Sequence, residues 1–186
     1  EFILSQDIDI IGVSFVASRS DLKNLKRVIE GILEKNTKKQ IGRGRKRKLK
    51  MPWIISKVER RKAMRNIDEI IDESDGIMVA RGDLAIEAPQ EKVTIFQKDI
   101  IKKCRKKNKP VIVATQMMAS MVSSARPTRA EISDVTNAVI DNADAVMLSN
   151  ESSVGKFPVK SIETMTKIIT TAEESSYNDV RLRSVG

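Results

Sequence analysis

Lys57 and Glu59 stand two residues apart at the end of one apolar run, WIISKV, and Arg81, Gly82 and Asp83 follow directly on another, GIMVA. These types suit one kind of chemistry. Carboxylates are hard oxygen ligands for Mg²⁺, which takes one or two of them and leaves its other positions to water and substrate phosphate. A lysine beside such a metal balances charge on a transferring phosphoryl group. Glycine lets backbone approach a ligand closely, and arginine pairs with carboxylate or phosphate. Thr115, after a third apolar run, offers a hydroxyl for a proton relay or a substrate hydrogen bond. Ser14, and Ser149 with Glu151, end two further runs. One such end is a surface turn. Several in register point to a shared site, against the alternative of a Lys–Glu–Asp ion-pair cluster at a sheet rim.

The runs that carry these residues must be strands. Residues 8–16, IDIIGVSFV, read as a strand buried on both faces, followed by a helix capped at Ser18 or Ser20 with Leu22, Leu25, Val28, Ile29, Ile32 and Leu33 on its apolar face. Residues 53–58 form a second strand, with a helix near Asn66–Ser74 whose stripe is Ile67, Ile70 and Ile71. Gly76–Ala80 is a third, and the next helix opens near Pro89 and buries Val93, Phe96, Ile100, Ile101 and Cys104. Pro110–Ala114 is a fourth, after which QMMASMVSSARP is partly loop, its methionines packing. Thr128 and Glu131 make a capping box for a helix with Ile132, Val135, Val139 and Ile140. Asp144–Leu148 is a fifth strand, and Pro158 opens a last helix with Val159, Ile162, Met165, Ile168 and Ile169. Strict alternation predicts a parallel α/β sheet, wound or barrel-like, with ligands at the strand C-termini.

Composition narrows the chemistry. There is no histidine, which removes His-ligated zinc and Ser-His or Cys-His catalysis. The single cysteine, Cys104, excludes an internal disulfide and falls on a helix stripe, as a small core residue does. No apolar run is long enough for a bilayer, and the N-terminus carries no signal-peptide pattern. The net charge of +9 suits anionic partners. Much of it lies in residues 35–50, KNTKKQIGRGRKRKLK, read as a solvated connection. Without interleaved aromatics it does not favour nucleic acid.

ISKVE, GIMVARGDL, PVIVATQMM, RPTRAEISDVTNAV and DAVMLSNES, in this order and spacing, resemble the pyruvate kinase family over about residues 7–170. The resemblance implies a partial (β/α)₈ TIM barrel, about its last five β/α units, over residues 1–170, with 171–186 a polar tail leading toward a C-terminal domain. It implies phosphoryl transfer from phosphoenolpyruvate to ADP, giving pyruvate and ATP, with Mg²⁺ (or Mn²⁺) and K⁺. Lys57 then stabilises the transferring group, Glu59 and Asp83 hold Mg²⁺, and the backbone of Ala80, Arg81 and Gly82 holds the substrate carboxylate. Thr115 is the active-site threonine, and Ser14 lies near the K⁺ and phosphate region. A cytoplasmic homo-tetramer is expected of the full-length protein, and inactivity of the 186 residues alone. The sequence departs from the family pattern at Arg60–Ala63, Ala85 and Asn150–Val154. The rival expectation is a non-catalytic remnant whose basic segment binds nucleic acid.

Overall fold

A computed structural model describes residues 2–6, 8–41 and 50–178. In chain order the elements are α1 (Phe2–Ser5), β1 (Ile10–Val13), α2 (Arg19–Ile41), β2 (Trp53–Val58), α3 (Arg61–Arg65), α4 (Ile67–Glu73), β3 (Gly76–Ala80), α5 (Arg81–Glu87) and α6 (Gln90–Lys106). Then follow β4 (Val111–Ala114), a 3₁₀ turn (Ala119–Val122), α7 (Arg129–Ile140), β5 (Ala145–Met147), α8 (Asn150–Ser153) and α9 (Pro158–Glu174). The strands form one open parallel sheet in the order β1-β2-β3-β4-β5, so each pairs with its neighbours in sequence. Parallel neighbours require a crossover of a dozen residues or more, which the helices supply. All strand C-termini therefore lie on one rim.

The central strands are apolar on both faces because both are covered. Ile54, Val58, Ile77, Val79, Val111 and Val113 are fully buried. Around them pack Leu22 and Ile29 of α2, Ile70 and Ile71 of α4, Ile100, Ile101 and Cys104 of α6, and Val135 and Ala138 of α7. Burial pushes the Cys104 thiol up to about 12. Met117, Met118 and Met121 are also fully buried, filling irregular space as flexible thioethers do.

The N-terminal end of the sheet is closed by aspartates. Asp75, just before β3, accepts the Ile54 N–H at 2.8 Å and donates its own N–H to the Ile54 carbonyl at 3.0 Å. Asp144, just before β5, does the same to Val111 at 2.8 and 3.0 Å. Gly76 is required here by close approach: a Cβ would meet Ile55 Cδ1 at 2.7 Å and the Pro110 carbonyl oxygen at 3.1 Å.

Several expectations change. β1 is not buried on both faces: Ile10 and Gly12 are exposed, and Ile11 and Val13 half-buried. Among the described residues it is an edge strand paired with β2, as β5 at the opposite edge is paired with β4. The basic stretch from residue 35, expected as a solvated connection, is helical as far as Ile41 at the end of α2; lysine, glutamine and glutamate are good helix formers. The rest of that stretch, 42–49, lies outside the described residues, as do 179–186 of the tail. The boundary at 170 falls inside α9, where Ala172 is still buried. Val28, Ile132, Val159 and Ile162, expected on apolar stripes, are exposed, because those stripes extend past the faces that neighbouring elements cover. No described helix is long and apolar enough to cross a membrane.

Candidate active site at the strand C-termini

The rim is built from three strand ends and the turns after them. The β2 end comes first. Lys57 and Glu59 alternate with Val58, so their side chains leave the strand on the same face. Glu59 is only 2% exposed and both its oxygens are engaged. Oε1 lies 2.9 Å from Lys57 Nζ, and Oε2 accepts the Phe15 N–H at 2.7 Å. Lys57 Nζ also donates to Ser14 Oγ at 3.1 Å. An ammonium has three donors, so one remains for an anionic ligand. The residues after β1 are bent to reach this point: Phe15 has a φ of 59°, a left-handed conformation that costs a non-glycine residue about 1–2 kcal/mol. Arg60 lies over the Phe15 ring at 5.0 Å, a cation–π contact that steadies the bend.

β3 is the next strand over, with Val58 opposite Val79, so Glu59 and the residues after Ala80 lie on neighbouring strand ends. α5 starts at once with Arg81, and no side chain caps it. The orphan Gly82 N–H of this first turn is instead taken by Thr115 Oγ1 at 2.7 Å. A Cβ on residue 82 would meet that oxygen at 3.2 Å. Thr115 thus serves as acceptor to Gly82 while its own hydroxyl proton stays available to another group. The Asp83 carboxylate is exposed and makes no hydrogen bond or ion pair with another described residue.

The third end follows β4. Thr115 and Gln116 are both left-handed, with φ of 68° and 53°. The Arg81 side chain, which sequence had offered as a ligand for an anion, is folded inward and 7% exposed. Its Nε and Nη2 donate to the Thr115 carbonyl at 3.2 and 3.0 Å, and Nη2 to the Gln116 carbonyl at 2.8 Å. Its Nη1 is ion-paired with Asp134 of α7 and reaches Gln97 Oε1 at 3.5 Å. At residue 81 only the backbone is left to face a ligand.

Two further carboxylates fasten the turns beyond β4. Glu151 is 2% exposed and accepts the Met118 N–H at 3.1 Å and the Ser149 N–H at 2.9 Å. It joins the ends of β4 and β5 rather than presenting itself to solvent. Glu131 completes the capping box with Thr128 and reaches across to Ser120 N and Oγ. Burial pushes its carboxyl up, but the hydrogen bonds from Ser120 and Thr128 outweigh that and hold it below the ordinary value.

The structure therefore brings Ser14, Lys57 and Glu59 into one contact chain and Gly82 and Thr115 into another, on adjacent strands. Sequence reasoning missed the Phe15 amide, Gln116 and Asp134. The left-handed bends have no local signature, and Asp134 meets Arg81 across 53 positions of chain.

A parallel sheet under helices, with its polar side chains collected on the C-terminal rim, defines an α/β chain of barrel type. The particular family comes from comparison. A family model described as pyruvate kinase, barrel domain, matches residues 1–162. The chain is 46% identical over 174 residues to pyruvate kinase of Thermococcus litoralis, covering 94% of this chain and 33% of that protein. It is 45% identical over 172 residues to pyruvate kinase of Sporosarcina psychrophila, covering 92% and 27%. It is 42% identical over 185 residues to pyruvate kinase 1 of Trypanosoma brucei brucei, covering 100% and 34%. The chain belongs to the pyruvate kinase family and spans about a third of the length of the curated relatives it matches.

Proposed function

We propose that this chain carries part of a phosphoenolpyruvate-to-ADP phosphotransferase site. The phosphorus–oxygen bond to the enol breaks, a bond to the terminal phosphate oxygen of ADP forms, and the enolate takes a proton at its methylene carbon to give pyruvate. The observation that carries this reading is Lys57, held between Ser14 and Glu59 at a rim shared with the Gly82–Thr115 contact. There Lys57 orients and neutralises an anionic group. The backbone of Ala80, Arg81 and Gly82 faces the substrate carboxylate, and the Thr115 hydroxyl positions the enol end or passes its proton.

Mg²⁺ or Mn²⁺ fits the donor set. Glu59 and Asp83 are the carboxylates of the rim, and two suffice when substrate supplies the remaining oxygens. Among the described residues no group of three or more His, Cys, Asp or Glu could form a closed metal site, so an ion held by Glu59 and Asp83 would take its other oxygens from substrate and water. Such an ion would neutralise phosphoryl oxygens. K⁺ does not fit these residues alone, because Ser14 is a single neutral hydroxyl already accepting from Lys57. A homo-tetramer and a cytoplasmic setting belong to the same proposal for the whole protein.

The test is Mn²⁺ binding by water-proton relaxation, with and without phosphoenolpyruvate. Substrate-enhanced binding that Asp83→Asn abolishes supports the reading. Enhanced binding that survives in Asp83→Asn removes Asp83 from the site. No enhancement in the wild-type chain, with its helical circular dichroism intact, means these residues do not assemble the site by themselves.

A further inference from the structure

The Arg81 side chain is buried, and its guanidinium donors go to protein acceptors. It spans the two carbonyls that the left-handed bend turns toward it, those of Thr115 and Gln116, and is anchored behind by Asp134 and Gln97. A residue forced into the left-handed region persists only when its surroundings over-determine it. A planar guanidinium does this because its donors form a fixed fork, which an ammonium cannot reproduce. Directly across the bend, the Thr115 hydroxyl receives the Gly82 N–H. Arg81 and Gly82 are adjacent in sequence, so the bend is gripped twice by one dipeptide: its carbonyls by a side chain, its hydroxyl by a backbone amide.

From this we infer that Arg81 is a positioning residue, whose guanidinium sets the Thr115–Gln116 bend and so fixes the Thr115 hydroxyl against the Gly82 amide. The functional consequence rests on the phosphotransferase reading; the positioning itself does not. In Arg81→Met the bend loses its strut, the Thr115 hydroxyl drifts, and the amide and hydroxyl are no longer held in register for an anionic substrate.

Gly82 offers a direct readout. Its amide lies in the first turn of α5, where no helical carbonyl can accept it, so its protection against hydrogen exchange comes from Thr115 Oγ1. In the whole 186-residue chain, Arg81→Met should speed Gly82 exchange about tenfold, as loss of one hydrogen bond does, while the Val79 and Val113 amides change far less. Arg81→Lys should fall between, and Asp134→Asn should give a smaller rise. Thr115→Val should match Arg81→Met, with no further rise in the double variant. Unchanged Gly82 exchange overturns the inference. So does a uniform rise across the core, which would make Arg81 a stability residue only. If Arg81→Met does not fold, Arg81→Lys and Asp134→Asn decide by the same criterion.

A second arm uses phosphoenolpyruvate with Mn²⁺. Arg81→Met should need about tenfold more phosphoenolpyruvate for the same enhancement, with Mn²⁺ affinity alone unchanged. An unaltered requirement overturns the inference. No enhancement in wild type means that these residues do not assemble the site by themselves, and leaves the exchange result to judge Arg81.

Discussion

Asp75 and Asp144 lie at the N-terminal end of the sheet and Asp83 at the C-terminal end, and the same residue type does opposite things there. The first two accept the opening amide of a neighbouring strand and return their own amide to its carbonyl. Their carboxylates are used up in register. The Asp83 carboxylate is exposed and bonds to no other described residue. Between these extremes stands Glu59, buried yet joined to Lys57, which keeps a donor for a ligand. At one end these carboxylates hold strands together; at the other, clamps such as Glu151 stand beside an Asp83 carboxylate kept in reserve. A fold that must present a ligand site needs both.

Substitutions can break that comparison. The largest effect is expected from Glu59→Ala, which leaves the Phe15 amide and Lys57 without their shared acceptor. Removing one partner of a buried pair costs about 3–5 kcal/mol; Lys57 is 29% exposed and can turn to water, so the low end applies. Urea unfolding should show this loss, and Mn²⁺ titration should show that metal binding falls with it. A loss of stability alone would make Glu59 a clamp like Asp75.

Next comes Gly76→Ala at the opposite end. Its new Cβ would press on Ile55 and on the Pro110 backbone, and overpacking costs about 1–3 kcal/mol. Thermal unfolding should move down while Mn²⁺ binding stays unchanged. Asp75→Ala should cost about 1 kcal/mol, the net worth of a hydrogen bond, again without touching the metal. If either weakens Mn²⁺ binding, the two ends are coupled and the contrast fails.

The smallest effect is on pH dependence. Glu131 has its pKa lowered in the folded chain, so it stabilises the fold above its unfolded value near 4.5. That contribution disappears as pH falls through the lowered folded value. Glu131→Gln should flatten the acid limb of stability against pH below about 4.5 and leave the neutral region parallel. An unchanged acid limb would mean that the Ser120 and Thr128 contacts form in the unfolded chain too.

How far the sequence could be read follows from the range of each interaction. β2 to β4 were legible because continuous apolar runs mark strands covered on both faces; β5 was legible from its short apolar run between Asp144 and Ser149, although it is an edge strand with Ala145 exposed. The Thr128–Glu131 capping box was legible because its partners lie three residues apart. β1 misled, since Ile10 and Ile11 are as apolar as core residues and nothing local says the strand is an edge. The clamps of Asp75 and Asp144 join residues 21 and 33 positions apart and were invisible. The residue types at the rim were visible, but not that Arg81 points inward. A guanidinium that satisfies carbonyls and one that awaits phosphate look the same in a sequence. The family pattern supplied roles for Lys57, Glu59, Asp83 and Thr115 that periodicity alone could not.

The strand order β1-β2-β3-β4-β5 has a consequence for how such a chain comes into being. Each strand docks on the one made just before it, and each crossover closes a loop of modest length, whose entropic cost grows only slowly with size. The sheet can therefore grow by accretion as the polypeptide leaves the ribosome, every new unit finding its template already laid down. A cut between units removes pairings only at the cut. Any contiguous run of units inherits a complete set of internal ladders.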